Sequence, residues 1–275
     1  MAHTPDPLLF IRSLWRIITR KPQVPPSLKD NALLNVIMRR RSARTYRSDD
    51  IPEDVFCAIL EAGRVAPSTV NLQSWSFAVF TAASWRATFD HPIPFKAPRA
   101  VIILGDTHRD RLALGEETIA HSPLVEYTIA VMNASLATMA MNLTAEALGV
   151  SSVMLSETGQ SGLLDAEYLC AKLHLPPGVF PLMTIVFGYA AGAYPPMPPR
   201  LPMETVSFDG ATGYREPAPG VLDDWLAQMI AGYKASHLTS SFQAQLHLYQ
   251  SKIGKAEADL RRMVFGESST GKGGA

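Results

Sequence analysis

Residues 125–148, VEYTIAVMNASLATMAMNLTAEAL, limit the fold more than any other stretch of the chain. Ala130, Ala134, Ala137, Ala140 and Ala145 alternate there with Met132, Leu136, Met139 and Leu143. Wound as a helix, the segment has apolar or small side chains on nearly every face, the pattern of a helix covered on all sides. Gly149 follows in the position of a helix C-cap. Other elements therefore have to enclose this rod, and four apolar runs are the candidates for a sheet: residues 75–80, 100–104, 150–155 and 182–187.

Helical patterns separate those runs. Leu33, Leu34, Ile37 and Met38 lie on one side of a helix over 31–39. Asp50, Pro52 and Glu53 open a second, with Val55, Ile59, Leu60 and Ala62 at helical spacing. A third covers 163–173, with Asp165 in its first turn. Residues 65–71 read as a loop and 106–111 as a polar break. Five prolines from Pro195 to Pro202 keep the chain extended, and helices return at 221–234 and 240–264. Strands interleaved with helices predict an α+β or α/β layer structure.

Composition narrows the function classes. Of 275 residues, 47% are hydrophobic and 18% charged, enough for a core without disulfide or metal staples. Lys and Arg number 25 against 25 Asp and Glu, so no net charge draws the chain to nucleic acid. The same neutrality suits a subunit that hides surface against another copy. Cys57 and Cys170 read as buried thiols of a reducing compartment, and the scattered histidines predict no metal site. No stretch reads as a bilayer span, so a cytoplasmic location is expected. Residues 8–20 mix Leu9, Trp15, Ile17 and Ile18 with Arg12, Arg16 and Arg20; they form either a docking helix or a weak membrane-surface contact. Two other motifs fall away. Residues 266–272 have phosphate-loop spacing but Gly273 where a hydroxyl is needed, and the sequon at Asn142 lies inside the long helix.

Three stretches carry chemistry. Arg39, Arg40, Arg41, Ser42 and Arg44 gather four guanidiniums and a hydroxyl where a helix gives way to extended chain. Such a group suits a phosphate dianion, although a solvated basic patch has the same composition. The turn APSTVNLQSW at 66–75 offers Ser68, Asn71 and Gln73 to the edge of a planar heterocycle, or to its own backbone. Glu157 and Thr158 follow a strand, a common place for ligand contacts.

Taken together, RRSARTY at 40–46, the 66–75 turn, LTAEALGV at 143–150, FPLMTIVFGYA at 180–190 and PPRLP at 198–202 resemble the FMN-dependent nitroreductase-like flavoproteins. The resemblance covers about residues 31–208. It implies an α+β nitroreductase-like fold: a central, mostly antiparallel sheet flanked by helices, with the long buried helix at a dimer interface. The chain then divides into an N-terminal extension (1–30), the FMN-binding domain (31–208), a C-terminal helical extension (209–265) and a disordered tail (266–275). Some relatives carry Lys where Pro198 stands, and the common NxQPW here reads Asn71-Leu72-Gln73-Ser74-Trp75.

The same resemblance implies the site. Arg40, Arg41 and Ser42 would bind the FMN phosphate, with Arg200 returning to complete it. Arg44 would lie nearer the ribityl chain or the pyrimidine edge. Pro67, Ser68, Asn71 and Gln73 would line the flavin, from the same or the other subunit. Glu157 and Thr158 would approach its N5 and O4. No catalytic side chain is nominated, because the cofactor carries the chemistry. The implied activity uses NADH or NADPH to reduce nitroaromatics by two-electron, ping-pong steps. Quinones, free flavin, halogenated phenols or another small metabolite are the alternative substrates. A flavin-binding or membrane-associated protein without turnover is the alternative of another class.

Overall fold

Alternation along the central strands decides which side each helix covers. In the computed structural model, residues 7–19, 21–22, 24–115, 122–156, 166–237 and 239–266 are described. The helices are α1 (Pro7–Thr19), α2 (Ala32–Arg39), α3 (Glu53–Arg64), α4 (Ala82–Phe89), α5 (His108–Leu114), α6 (Pro123–Ala147), α7 (Ala166–Leu173), α8 (Met203–Val206), α9 (Val221–Ser236) and α10 (Phe242–Phe265). The strands are β1 (Trp75–Thr81), β2 (Arg99–Asp106), β3 (Ser151–Leu155) and β4 (Val179–Gly188). They form one sheet in the order β1-β2-β4-β3, antiparallel at every pairing. The expected mostly antiparallel α+β sheet is the one observed.

Successive side chains of a strand point to opposite faces. On one face Val101, Ile103, Ile185 and Phe187 pack with Phe56, Ile59, Ala134, Ala137 and Met141 of α3 and α6. On the other, Ala100, Ile102, Leu104 and Val186 pack with Trp85, Phe89 and Leu169 of α4 and α7. The result is a helix–sheet–helix sandwich. Close approach of α3 to α6 depends on Gly63, where an added Cβ would sit 2.8 Å from Met141 Cγ.

The long helix departs from the expected burial on nearly all faces. Ala130, Ala134, Ala137 and Ala145 are fully buried on the inner side, while Met132 is 58% and Leu136 47% exposed. The small residues thus bring α6 onto its own sheet and leave a methionine–leucine stripe outward. This helix is also long and apolar enough to cross a membrane by length and composition, which corrects the expectation that no segment is. Its buried side is occupied by the sheet and α3.

Three other expectations change. The polar break at 106–111 contains the start of α5, and α4 was not foreseen. Cys57 is exposed rather than buried, and Cys170 is half-buried with its Sγ 3.4 Å from Met263 Sδ; both are free thiols.

The chain forms two compact units, Met1–Pro25 with Pro195–Ser251, and Pro26–Tyr194 with Lys252–Ala275. The second contains the sheet. In the first, Arg16 of α1 pairs with Asp224 of α9 at 2.8 Å, and Ile17 is buried where Gly232 leaves room. Leu8, Ile11, Trp15 and Ile18 remain exposed on α1.

Candidate functional site

Helix α2 starts on Asn31, whose Oδ1 accepts from Leu34 N at 3.0 Å, and ends where Arg40 leaves helical geometry. The last carbonyls of a helix need donors. Arg41 supplies one: Nη1 donates to the Met38 and Arg40 carbonyls, each at 2.8 Å. The chain then runs extended against the sheet. Ala43 N donates to Ser152 O at 3.2 Å, Ser42 bridges to Ser152, and Tyr46 pairs with Ala190. Arg40, Arg41 and Ser42 are half-buried there and Arg44 is exposed.

Behind this segment lies a polar network. Asn142 Nδ2 donates to Ser152 Oγ at 2.7 Å, both groups buried. Tyr194 OH donates to Glu146 Oε2 at 3.0 Å and lies 2.7 Å from Ser151 Oγ. Burial pushes the Glu146 carboxyl above the usual carboxylate range, against the downward pull of the Tyr194 hydrogen bond and the charges of Arg40 and Arg41. Tyr46 is raised by burial first and then by Tyr194, while its hydroxyl donates to Ala43 O at 2.8 Å.

The 66–75 turn is held by different means. Thr69 N and Oγ1 both donate to Asn133 Oδ1 of α6, at 3.1 and 3.3 Å. Gln73 N donates to Ser68 Oγ at 3.0 Å, and the Gln73 amide donates to Asn71 O at 3.3 Å. Ser74 Oγ donates to Asp110 Oδ2 at 2.6 Å, and the Arg109 guanidinium clamps the carbonyls of Gln73 and Trp75 at 2.7 and 2.5 Å. Val70, Asn71 and Gln73 have φ of 50°, 59° and 55°. For a β-branched residue such as Val70 this is strained backbone. Burial holds the Asp110 carboxyl above its ordinary range.

Sheet register locates the two stretches. Trp75 lies opposite Gly105 and through it Phe180, whereas Ser152 lies opposite Phe187. Seven residues of β4 separate those levels, about 23 Å, and three strand spacings add about 14 Å across the sheet. Ser42 and the 66–75 turn therefore lie at diagonally opposite corners of the sheet. A single copy brings Arg40, Arg41 and Ser42 together, and Pro67, Ser68, Asn71 and Gln73 together, but not the two groups. Arg200 belongs to the first unit, where it lines a cavity of about 370 Å³ with Arg16, Thr19, Asp224 and Trp225. Glu157 and Thr158 lie outside the described residues.

Sequence reading missed Asn133, Arg109, Asp110, Glu146 and Tyr194. Asn133 and Asn142 were the available signal: two amides on the buried face of an otherwise apolar helix need buried partners.

The sequence profile of the Nitroreductase family matches residues 37–189, more than half of the chain. The chain belongs to the nitroreductase family. Its sheet, α3, α4, α6 and both corners fall inside that match or at its edge. A Thermus thermophilus protein named NADH dehydrogenase is 29% identical over 189 residues, 62% of this chain and 91% of the relative. A Bacillus subtilis FMN reductase [NAD(P)H] is 25% identical over 189 residues, 64% and 73%. Among solved structures, NfrA2 of B. megaterium superposes with a TM-score of 0.70 at 19% identity, covering 86% of this chain and 97% of the other. That likeness speaks to the fold. For this member of the nitroreductase family, the donor set of Arg40, Arg41 and Ser42 fits a phosphate dianion: two cations and a hydroxyl, with backbone anchored on β3.

Proposed function

We propose that this chain is an FMN-dependent oxidoreductase that uses NADH or NADPH to reduce nitroaromatic compounds in two-electron, ping-pong steps. The observation that carries the reading is the half-buried Arg40–Arg41–Ser42 cluster at the end of α2, within the family match. Bound FMN would supply hydride acceptance and delivery. The residues of the chain bind, orient and exclude water. Arg40, Arg41 and Ser42 hold the phosphate, Arg44 lies toward the ribityl chain or pyrimidine edge, and Ser68, Asn71 and Gln73 read the ring edge beside Pro67. Glu157 and Thr158 belong to the same proposal on the resemblance alone, as does Arg200.

Because the two corners are diagonal within a protomer, one flavin reaches both only if two copies contribute. The exposed stripe of Met132, Leu136 and Met139 on α6 supports a homodimer, with hydrophobic burial as its driving force. Leu8, Ile11, Trp15 and Ile18, exposed on α1 beside Arg12, support a weak membrane-surface contact as a separate property; equal vesicle binding by the full chain and by one lacking residues 1–26 would dismiss it.

The test is direct. Purified protein supplemented with FMN should retain one flavin per chain, show flavin absorption bands, and oxidise NAD(P)H when given a nitroaromatic. Rapid flavin reduction without nitroaromatic turnover would move the substrate to quinones, free flavin, halogenated phenols or another small metabolite. Absence of both retention and NAD(P)H oxidation would end the enzyme reading.

A further inference from the structure

A carboxylate in the last turn of α6 faces the negative end of its own helix and needs cations or donors to stay ionised. Glu146 has both. Tyr194, from the segment after β4, donates to Oε2 at 3.0 Å, and Ser151 at the start of β3 bonds the same hydroxyl. Arg40 and Arg41, at the end of α2, act on the carboxyl by charge, and Arg40 acts on Tyr194 as well. The segment carrying these arginines is tied to β3 by Ala43 N–Ser152 O, and Ser152 Oγ accepts from Asn142, one turn before Glu146 on α6, so the arginine segment and the end of α6 are anchored on the same residue of β3.

We infer that Glu146 is the internal counter-anion of the Arg40–Arg41 pair and takes up a proton from solvent when a phosphate dianion binds there. The inference rests on the FMN reading above. Without phosphate, the carboxylate offsets part of the positive charge of the two arginines. A bound phosphate places up to about two negative charges against the same cations, and one anion then becomes superfluous. The carboxylate already disfavoured by burial is the one neutralised.

Linkage fixes the sign. Bound phosphate raises the proton affinity of Glu146, and ionised Glu146 weakens phosphate binding by the same factor. Affinity is fully present where Glu146 is protonated before binding, and falls as pH rises through the window between its free and phosphate-bound values. Both lie above the ordinary carboxylate range, since the free value is already raised. The phosphate itself titrates near about pH 6, and a variant comparison cancels that contribution.

The experiment measures FMN dissociation constants by flavin fluorescence across pH, with the full-length protein, Glu146→Gln and Tyr194→Phe. The ratio of parent to Glu146→Gln constants should rise from about one on the acid side to about tenfold on the alkaline side, as one pKa unit of coupling requires. Tyr194→Phe removes the donor that favours the ionised carboxyl and should shift that rise to higher pH. Riboflavin, which lacks the phosphate, should give a flat ratio. A ratio for FMN that is constant with pH, or a Tyr194→Phe profile superposed on the parent's, overturns the counter-anion role while the FMN site stands. A parent that binds riboflavin and FMN equally overturns the phosphate assignment and the inference together.

Discussion

At one corner of the sheet, where α2 ends beside β3, Arg40 and Arg41 act by charge on the half-buried Glu146 carboxyl. At the other, a turn with three residues in the left-handed region is laced to the Asn133 amide, the Arg109 guanidinium and the Asp110 carboxyl by directional hydrogen bonds. The first corner is tuned by charge and tolerates ordinary backbone. The second spends its bonds on fixing a backbone shape. An anion is gripped by mobile, long-range charge, whereas a planar edge needs donors and acceptors held in place.

The largest way to break this pairing is to separate the copies of the proposed dimer. Leu136→Asp adds a charge to an exposed face of α6, so the protomer should fold, but the dimer would bury an unpartnered carboxylate. The cost of several kcal/mol corresponds to more than about a hundredfold loss of both FMN and riboflavin binding. Sedimentation should show monomers. Persistence of a dimer with bound flavin would place the interface elsewhere.

Next in size is Arg41→Ala, which removes a charge-assisted contact worth about 1.5–3 kcal/mol, or about ten- to hundredfold in affinity. It should weaken FMN and spare riboflavin, because only the arginine corner is touched. Arg200→Ala is the parallel measurement, and an unchanged FMN constant removes that residue from the phosphate site.

Asn133→Ala strikes the opposite corner. It strips the acceptor from Thr69 N and Oγ1 and the donor from Ser74, at a cost of about 1–2 kcal/mol in urea stability. FMN and riboflavin should weaken together, by a few-fold. A selective loss of FMN would contradict the division of labour between the corners.

The smallest effect is a control at the arginine end of the sheet. Arg99 lies opposite Phe187, as Ser152 does, yet its guanidinium is already committed to Asp50 at 2.8 and 2.9 Å and to Glu53. The Arg99 hydrogen bond holds the Asp50 carboxyl below its usual range. Its contribution is therefore present above the free carboxylate value and fades as pH falls through that value and below. Asp50 is mostly exposed, so Asp50→Asn should cost less than about 1 kcal/mol. The urea midpoints of parent and variant should converge on acidification, with FMN affinity untouched.

Much of this architecture was legible because it follows one-dimensional rules. The four strands announced themselves as apolar runs, and α2, α3 and α6 by periodicity and caps. Helix α4 stayed hidden because only Trp85 and Phe89 anchor it and its start is a Thr81–Ser84 capping box with no acidic residue. Helix α5 opens with His108, Arg109 and Asp110, which read as loop until their bonds to the 66–75 turn and Asp106 are seen. Which side of α6 faces its own sheet was not readable either, since alanine, methionine and leucine all count as apolar along the run. The diagonal placement of the corners needs strand register, which periodicity does not encode. Arg40, Arg41 and Ser42 stood out as a cluster, but Glu146 and Tyr194, over a hundred positions away, did not.

The diagonal has a genetic consequence. If each flavin draws its phosphate grip from one subunit and its ring edge from the other, a subunit crippled at Arg41 and a subunit crippled at Asn133 fail in different halves of the pocket. Coexpressed, they would assemble mixed pairs in which one pocket collects both lesions and the other collects none. Two weakened alleles would then complement each other, each mixed pair recovering up to about half the activity of a parental dimer through its one intact pocket.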